Sequence, residues 1–138
     1  MHIEVDWDDV EKTIICYRFY AGWTLTEFHR AFHIATEMVQ KTDQRIIGVI
    51  VDDRKDATPP KNALMAFRRT VREGRLPIAL VGLNRNAKIL MDVAEGAFNP
   101  KRPIFYVDTF EEARAELRKF ARQLMNDTND EVEFLGGS

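Results

Sequence analysis

Three aspartates follow an apolar run in the middle of the chain and are the residues best suited to metal chemistry. Asp52 and Asp53 come directly after the run 46–51, and Asp56 lies a few residues further on. Carboxylate oxygens are the ligands that Mg²⁺ prefers, so this group is the one on which a metal-dependent enzyme could be built. Acids at this location more often enter a helix or face solvent. The three are therefore weak metal candidates, and we expect no resident cofactor.

Basic residues are interleaved with these acids and continue beyond them. Between positions 54 and 88, nine bases face two acids. Thr58 precedes a proline, which is a helix start signal because the missing proline amide would be unpaired there anyway. Helix amides and the helix dipole would then favour an anion beside Thr58. The pattern predicts an anion-binding or regulatory site at Arg54, Lys55, Thr58 and Lys61; solvated outer faces of two helices are the alternative.

Histidine and cysteine add little further chemistry. His29 and His33 are four residues apart and share one helix face, but no third ligand accompanies them, so a solvated helix flank is the simpler interpretation. Cys16 lies in an apolar strand, which predicts a buried small hydrophobe. The sequence has no Gly-rich phosphate loop, no nucleophile elbow and no Ser-His-Asp set. These observations favour a non-catalytic protein.

Length and composition are those of one globular domain. The 138 residues are 45% apolar and 30% charged. We expect one α/β domain over residues 1–125 and an acidic, flexible tail over 126–138. The chain opens without a signal-peptide pattern, and no apolar run approaches the length of a membrane span. A cytoplasmic location without a membrane span is therefore expected.

Alternating strand and helix patterns predict the element order β-β-α-β-α-β-α-β-α. Thr24 with Glu27, and Thr109 with Glu112, have the spacing of capping boxes that start helices. Strands that alternate with helices should be parallel and joined by right-handed crossovers. The predicted strands lie near 3–7, 13–20, 46–51, 77–82 and 104–107, and the predicted helices begin near 24, 58, 84 and 109.

This order predicts a mixed sheet in which strands 3 to 5 are parallel and the N-terminal hairpin adds an antiparallel edge. The first helix should end near Lys41 and bury Leu25, Phe28, Phe32, Ala35 and Val39. The wider predicted core is Leu25, Phe28, Phe32, Ile47, Val49, Leu64, Phe67, Leu80, Leu90, Phe105, Leu117 and Phe120.

The chain resembles the STAS domain, the fold of bacterial anti-sigma factor antagonists, over roughly residues 3–125. The resemblance depends on the opening hairpin, the start Gly22-Trp23-Thr24, the strand-to-helix junction at 49–53 and the closing segment 107–113. It implies that the helices pack on one face of the sheet, which leaves part of the hairpin's apolar face open to a partner. The family's regulatory Asp-Ser pair is missing from the junction 52–60, where Thr58 is the hydroxyl at the expected place.

Three classes of function follow. The first is a non-catalytic regulatory or protein-interaction module with a protein partner, and the sequence also allows a homodimer. The second is a carrier for a small apolar ligand or lipid. The third is a metal-dependent enzyme, or a domain similar to a response-regulator receiver, using Asp52 and Asp53. No nucleic-acid partner is expected.

Overall fold

The computed structural model describes residues 2–55, 60, 76–82 and 103–136, the last ten of these by their backbone alone. Five strands and two helices lie in these ranges. They are β1 (Ile3–Trp7), β2 (Ile14–Phe19), α1 (Leu25–Gln40), β3 (Gly48–Asp52), β4 (Ile78–Val81), β5 (Ile104–Val107) and α2 (Phe110–Gly136). The predicted helices beginning near 58 and 84 lie outside the described residues.

The five strands form one mixed sheet in sequential order, β1-β2-β3-β4-β5. β1 pairs antiparallel with β2, whereas β2, β3, β4 and β5 are mutually parallel. The predicted antiparallel edge and the predicted parallel strands are therefore confirmed. The α/β class is confirmed with them.

Apolar side chains cover both faces of this sheet. Because successive side chains on a strand alternate between faces, β2 contributes Phe19 to the cluster that packs with Phe28 of α1. Its neighbours Ile14 and Cys16 belong to a second cluster, which packs with Leu117 of α2. The described helices thus lie on opposite faces, and the expectation that all helices share one face is wrong. Cys16 is buried as predicted.

Helix α1 buries a narrower stripe than its sequence predicts. The buried positions are Phe28, Ala31 and Ala35, while Phe32 is 48% exposed and Val39 is also exposed. Phe32 lies four residues after Phe28, on the side of the stripe away from Ala31. Hydrophobic periodicity indicates an apolar arc but does not say how much of it a sheet covers, so the prediction that Phe32 is buried is wrong.

The other predicted core positions divide into three groups. Leu80 and Leu117 are fully buried, as predicted. The predictions for Leu64, Phe67 and Leu90 lie outside the described residues. Leu25, Ile47, Val49, Phe105 and Phe120 are partly buried.

The helix starts predicted at Thr24 and Thr109 are confirmed by their hydrogen bonds. The amide of Glu27 donates to Thr24 Oγ1 at 3.2 Å, and the amide of Glu112 donates to Thr109 Oγ1 at 3.1 Å. Each bond satisfies a helical amide that would otherwise be unpaired. The Glu27 carboxylate also accepts from the backbone amide of His2 at 2.7 Å, which ties the start of the chain to α1.

Helix α2 continues to Gly136, past the expected boundary at residue 125. The backbone of 126–136 is thus helical where the composition indicates an irregular acidic tail. The predicted flexibility of this segment stays a prediction. No helix within the described ranges is long and apolar enough to cross a membrane.

Candidate functional site

Two charged residues lie side by side where β2 and β3 reach their carboxyl ends. Arg18 is the register partner of Asp52, and each continues an apolar row, after Cys16 on β2 and Ile50 on β3. The period-2 alternation directs both rows to the face of the sheet on which α2 packs. The same face is therefore apolar in the middle of the strands and charged at their ends.

Asp52 is buried and is bonded to Arg54 in a tight local turn. Its carboxylate accepts from Arg54 Nε at 2.8 Å, from Arg54 Nη2 at 3.0 Å and from the Arg54 amide at 3.1 Å. The Nε of Arg18 lies 3.9 Å from Asp52 Oδ2. Burial raises the pKa of Asp52, but the hydrogen bonds and charge of Arg54 outweigh it, so the net shift is downward. Asp52 is therefore a carboxylate held ionised.

Three guanidinium groups surround the ring of Phe110, the first residue of α2. The Cζ atoms of Arg54, Arg114 and Arg18 lie 4.7, 5.5 and 5.9 Å from the ring centroid. These distances are within the range of cation–π attraction. We call Arg18, Arg54 and Arg114, with Phe110 and the carboxylates Asp52 and Asp8, the arginine cluster.

Arg114 closes the cluster on the side of β1. Its Nε and Nη2 donate to Asp8 Oδ2 and Oδ1 at 2.8 and 3.0 Å. This bidentate pair joins α2 to the end of β1 across 106 positions of sequence. Asp8 is deeply buried, so its charge needs such a partner.

Gly82, directly after β4, allows the loop after β3 to pack closely. Its φ of +71° lies in the left-handed region, and a Cβ at this position would collide with Arg54 Cγ and lie 3.1 Å from Arg54 Cα. The amides of Asp53 and Gly82 donate to Val81 and Val107 oxygens at 3.0 and 3.2 Å. Arg54 is thus fixed by backbone contacts as well as by Asp52.

The cluster is electrically polarised from inside to outside. The side chains of Asp52 and Asp8 are 6% and 2% exposed, whereas those of Arg18, Arg54 and Arg114 are 39%, 54% and 32% exposed. Lys55, next in the chain, is exposed as well. Among the members of the cluster, the carboxylates are therefore shielded by protein and the guanidinium groups face the surface, where the exposed Glu111 is close enough to Arg114 to act on it electrostatically.

The structure describes only some of the site residues that the sequence predicts. Arg54 and Lys55 lie at the carboxyl end of the sheet, whereas Thr58, Lys61 and Asp56 lie outside the described residues. Arg54 is not a free surface charge, because it is committed to Asp52.

The weaker metal candidates gain no support from their surroundings. The Asp52 oxygens accept from Arg54, and a guanidinium in that position competes with any cation. Within the described ranges, no group of three or more His, Cys, Asp or Glu side chains is placed to hold a metal ion. His29 and His33 are exposed on α1. Burial raises the pKa of the Cys16 thiol to about 12, so it is a thiol and not a nucleophilic thiolate at neutral pH.

Sequence reasoning missed Arg18, Phe110, Arg114 and Asp8 as members of a site. A signal was present for two of them, because Phe110 and Arg114 are four residues apart and therefore neighbours on one helix face. Arg18 is a charge in an otherwise apolar strand. Asp8 carries no comparable signal among the acids of the N-terminal segment.

Comparison with known proteins gives no family for this chain. No family model matches it, no curated protein matches it, and no solved structure matches it. Its function must therefore be argued from the site.

Proposed function

We propose that this chain is a non-catalytic interaction module that docks an acidic segment of a protein partner against the arginine cluster and Lys55. The observation that carries the proposal is the inside-to-outside charge arrangement, with buried carboxylates and outward guanidinium groups. Such a surface attracts and orients a negatively charged partner, and the attraction weakens as salt is added.

The chemistry of the described side chains supports a binding role over a catalytic one. Catalytic acids and nucleophiles usually carry a pKa shifted toward the working pH. Here the shifts run the other way: the pKa of Asp52 is lowered by its arginine partner, and the pKa of Cys16 is raised to about 12 by burial. Both groups have one stable protonation state at neutral pH.

The resemblance to STAS domains adds a second line of support. Of what the resemblance implies, the mixed sheet with an antiparallel first strand is present, whereas the packing of all helices on one face is not. In that family the loop after the third strand is the regulatory surface, and here the same loop contains Asp52, Arg54 and Lys55. We propose a regulatory role in the cytoplasm on this basis.

The test measures how affinity for a partner depends on salt. The chain is used as bait, and a recovered partner is titrated against wild type and Lys55→Glu at low and high ionic strength. Arg54 is left unchanged because it holds Asp52. We expect Lys55→Glu to weaken binding about three- to tenfold at low salt and to flatten the salt dependence.

Arg45→Glu is the matched control, because it makes the same charge change at an exposed position before the amino end of β3. It should leave affinity close to that of wild type. Equal affinities for wild type and Lys55→Glu at both salt concentrations would show that this end of the sheet is only a solvated surface. Native mass spectrometry of the same sample tests the carrier alternative, which requires a co-purifying apolar ligand.

A further inference from the structure

Arg18 differs from the other two arginines of the cluster in its hydrogen bonds. Arg54 and Arg114 each donate twice to a buried carboxylate. Within the described part of the chain, the guanidinium of Arg18 makes no hydrogen bond: its contacts are the 3.9 Å approach to Asp52 and the 5.9 Å approach to the Phe110 ring. Its guanidinium is held in position while its donors stay unused.

Position and exposure make those donors available to a ligand. Arg18 is on a β-strand paired on both sides, so its backbone is rigid. Its side chain is 39% exposed. Arg54 lies two residues after the end of β3. Within the described ranges it donates only from its amide, Nε and Nη2. In the part of the chain that the structure describes, Arg18 and Arg54 thus offer unused side-chain donors from two separate elements.

Two carboxylates lie near Arg18 and bear on what it can bind. Asp52 is already neutralised by its bidentate bond to Arg54. Glu4 is the register partner of Arg18 on β1, and its carboxylate accepts from Tyr20 Oη at 3.3 Å. Glu4 makes no ion pair with Arg18 within the described ranges, so it leaves the side-chain donors of Arg18 available to a ligand.

We propose that Arg18 and Arg54 form a site for a phosphoryl group, and that the acidic partner segment is recognised through a phosphorylated residue. One bidentate guanidinium engages both oxygens of a planar carboxylate, as Arg54 does with Asp52. A phosphoryl group has three terminal oxygens and close to two negative charges at neutral pH, so it can accept from both guanidinium groups at once. The class of partner in this inference rests on the proposed function, whereas the phosphoryl chemistry of the site does not.

The first experiment needs no partner. Inorganic phosphate is titrated into the full chain at constant ionic strength, with acetate in a parallel series, and backbone amide shifts are followed by NMR. We expect saturable shifts near Arg18, Arg54 and Phe110 with phosphate and much weaker ones with acetate. Non-saturating shifts, or equal responses to both anions, would overturn the phosphoryl assignment.

Three variants test the residue assignment. Arg18→Gln should lower phosphate affinity about tenfold or more, since it removes charge-assisted hydrogen bonds. Arg18→Lys keeps the charge but not the planar fork, so it should lose most of the same affinity. Arg122→Gln, at an exposed position of α2, is the control and should bind as wild type does. Wild-type affinity in Arg18→Gln would overturn the site.

The second experiment separates the sources of the phosphoryl group. A short acidic peptide with one phosphoserine is compared with the same peptide carrying unmodified serine. We expect the phosphorylated form to bind at least tenfold more tightly, with the difference abolished in Arg18→Gln. If the chain binds phosphate but binds the two peptides equally, the site is one for a free phosphate compound. That result would overturn the proposal that the partner is recognised through a phosphorylated residue. Binding of both peptides without any phosphate response would leave the acidic docking surface intact and overturn this inference alone.

Discussion

The two faces of the sheet are built from the same five strands but differ in chemistry. On the α1 face, aromatic rings pack on one another: Phe19 and Trp23 have centroids 5.1 Å apart, and Trp23 and Phe28 have centroids 6.0 Å apart. On the α2 face, aliphatic residues such as Ile50 and Leu117 form the centre. At the carboxyl ends of β2 and β3, where the arginine cluster lies, the side chains on that face are charged.

This difference separates an apolar face from one that also carries the proposed site. Large aromatic rings bury much apolar area and leave few donors for a ligand. The buried centre of the α2 face is aliphatic, with the partly buried Phe105 packed against it, and its end is occupied by ion pairs, which contribute little net stability for the area they occupy. Within the described ranges, the apolar core thus lies on the α1 face and at the centre of the α2 face, and the proposed binding site lies at the rim of the α2 face.

The largest expected effect is on the α1 face. Phe28→Ala should lower the free energy of unfolding by about 3–5 kcal/mol, because it removes a buried ring and leaves a cavity. Phe32→Ala, on the same helix but half exposed, should cost less than about 1 kcal/mol. Urea denaturation of both variants gives the comparison. Similar losses for the two would mean that Phe32 is covered and that the buried stripe of α1 is wider than described.

An intermediate effect is expected where backbone packing supports the arginine cluster. Gly82→Ala should cost about 1–3 kcal/mol, since alanine strains the left-handed backbone and its Cβ collides with Arg54. Gly22→Ala is the matched control: φ there is +89°, but the nearest atoms to a new Cβ are 3.7 Å away in the ring of His2.

Both variants strain a left-handed backbone, but only Gly82→Ala adds a collision. The difference between their losses of stability, measured by thermal unfolding, therefore reports the cost of the collision. We also expect Gly82→Ala alone to displace Arg54 and to weaken phosphate binding. If both variants lose equal stability, Arg54 moves aside without cost and the close packing does not hold the cluster.

The smallest expected effect is the dependence of stability on acid. Because the pKa of Asp52 is lowered in the folded chain, its contribution is present above the unfolded pKa and is lost as pH falls through the folded one. Wild type should therefore lose stability below about pH 4. The loss is small because the partner guanidinium of Arg54 is half exposed and solvent screens the pair.

Asp52→Asn should make this acid loss shallower without abolishing it. Asp9 also contributes: burial raises its pKa, but hydrogen bonds from Thr13 and from the amide of Ile14 outweigh that effect and lower it. Asp43→Asn, at an exposed position after α1, is the control. Urea midpoints measured from neutral pH to about pH 3 decide the matter, and identical profiles for wild type and Asp52→Asn would show that the pair with Arg54 does not stabilise the fold.

Local signals in the sequence were sufficient for the five described strands, for the helix starts at Thr24 and Thr109, and for the order of these elements. The capping residues Thr24 and Thr109 start helices at the predicted positions, and the apolar runs became parallel strands. These features depend on residues within a few positions of one another, so short segments of sequence are enough to predict them. The candidate site was predicted only in part: the loop with Arg54 and Lys55 was identified, but Arg54 was assigned as a free charge.

The remaining features depend on residues that meet only when the chain is folded. Register places Arg18 beside Asp52, and the docking of α2 brings Arg114 to Asp8 and Phe110 beneath three guanidinium groups. The packing of the elements decides which part of an apolar helix face is covered. It also decides whether an arginine keeps free donors. The sequence thus determined the described strands, the helix starts at Thr24 and Thr109 and the α/β class through short-range propensity and periodicity, while long-range pairing produced the arginine cluster and the exposure of Phe32.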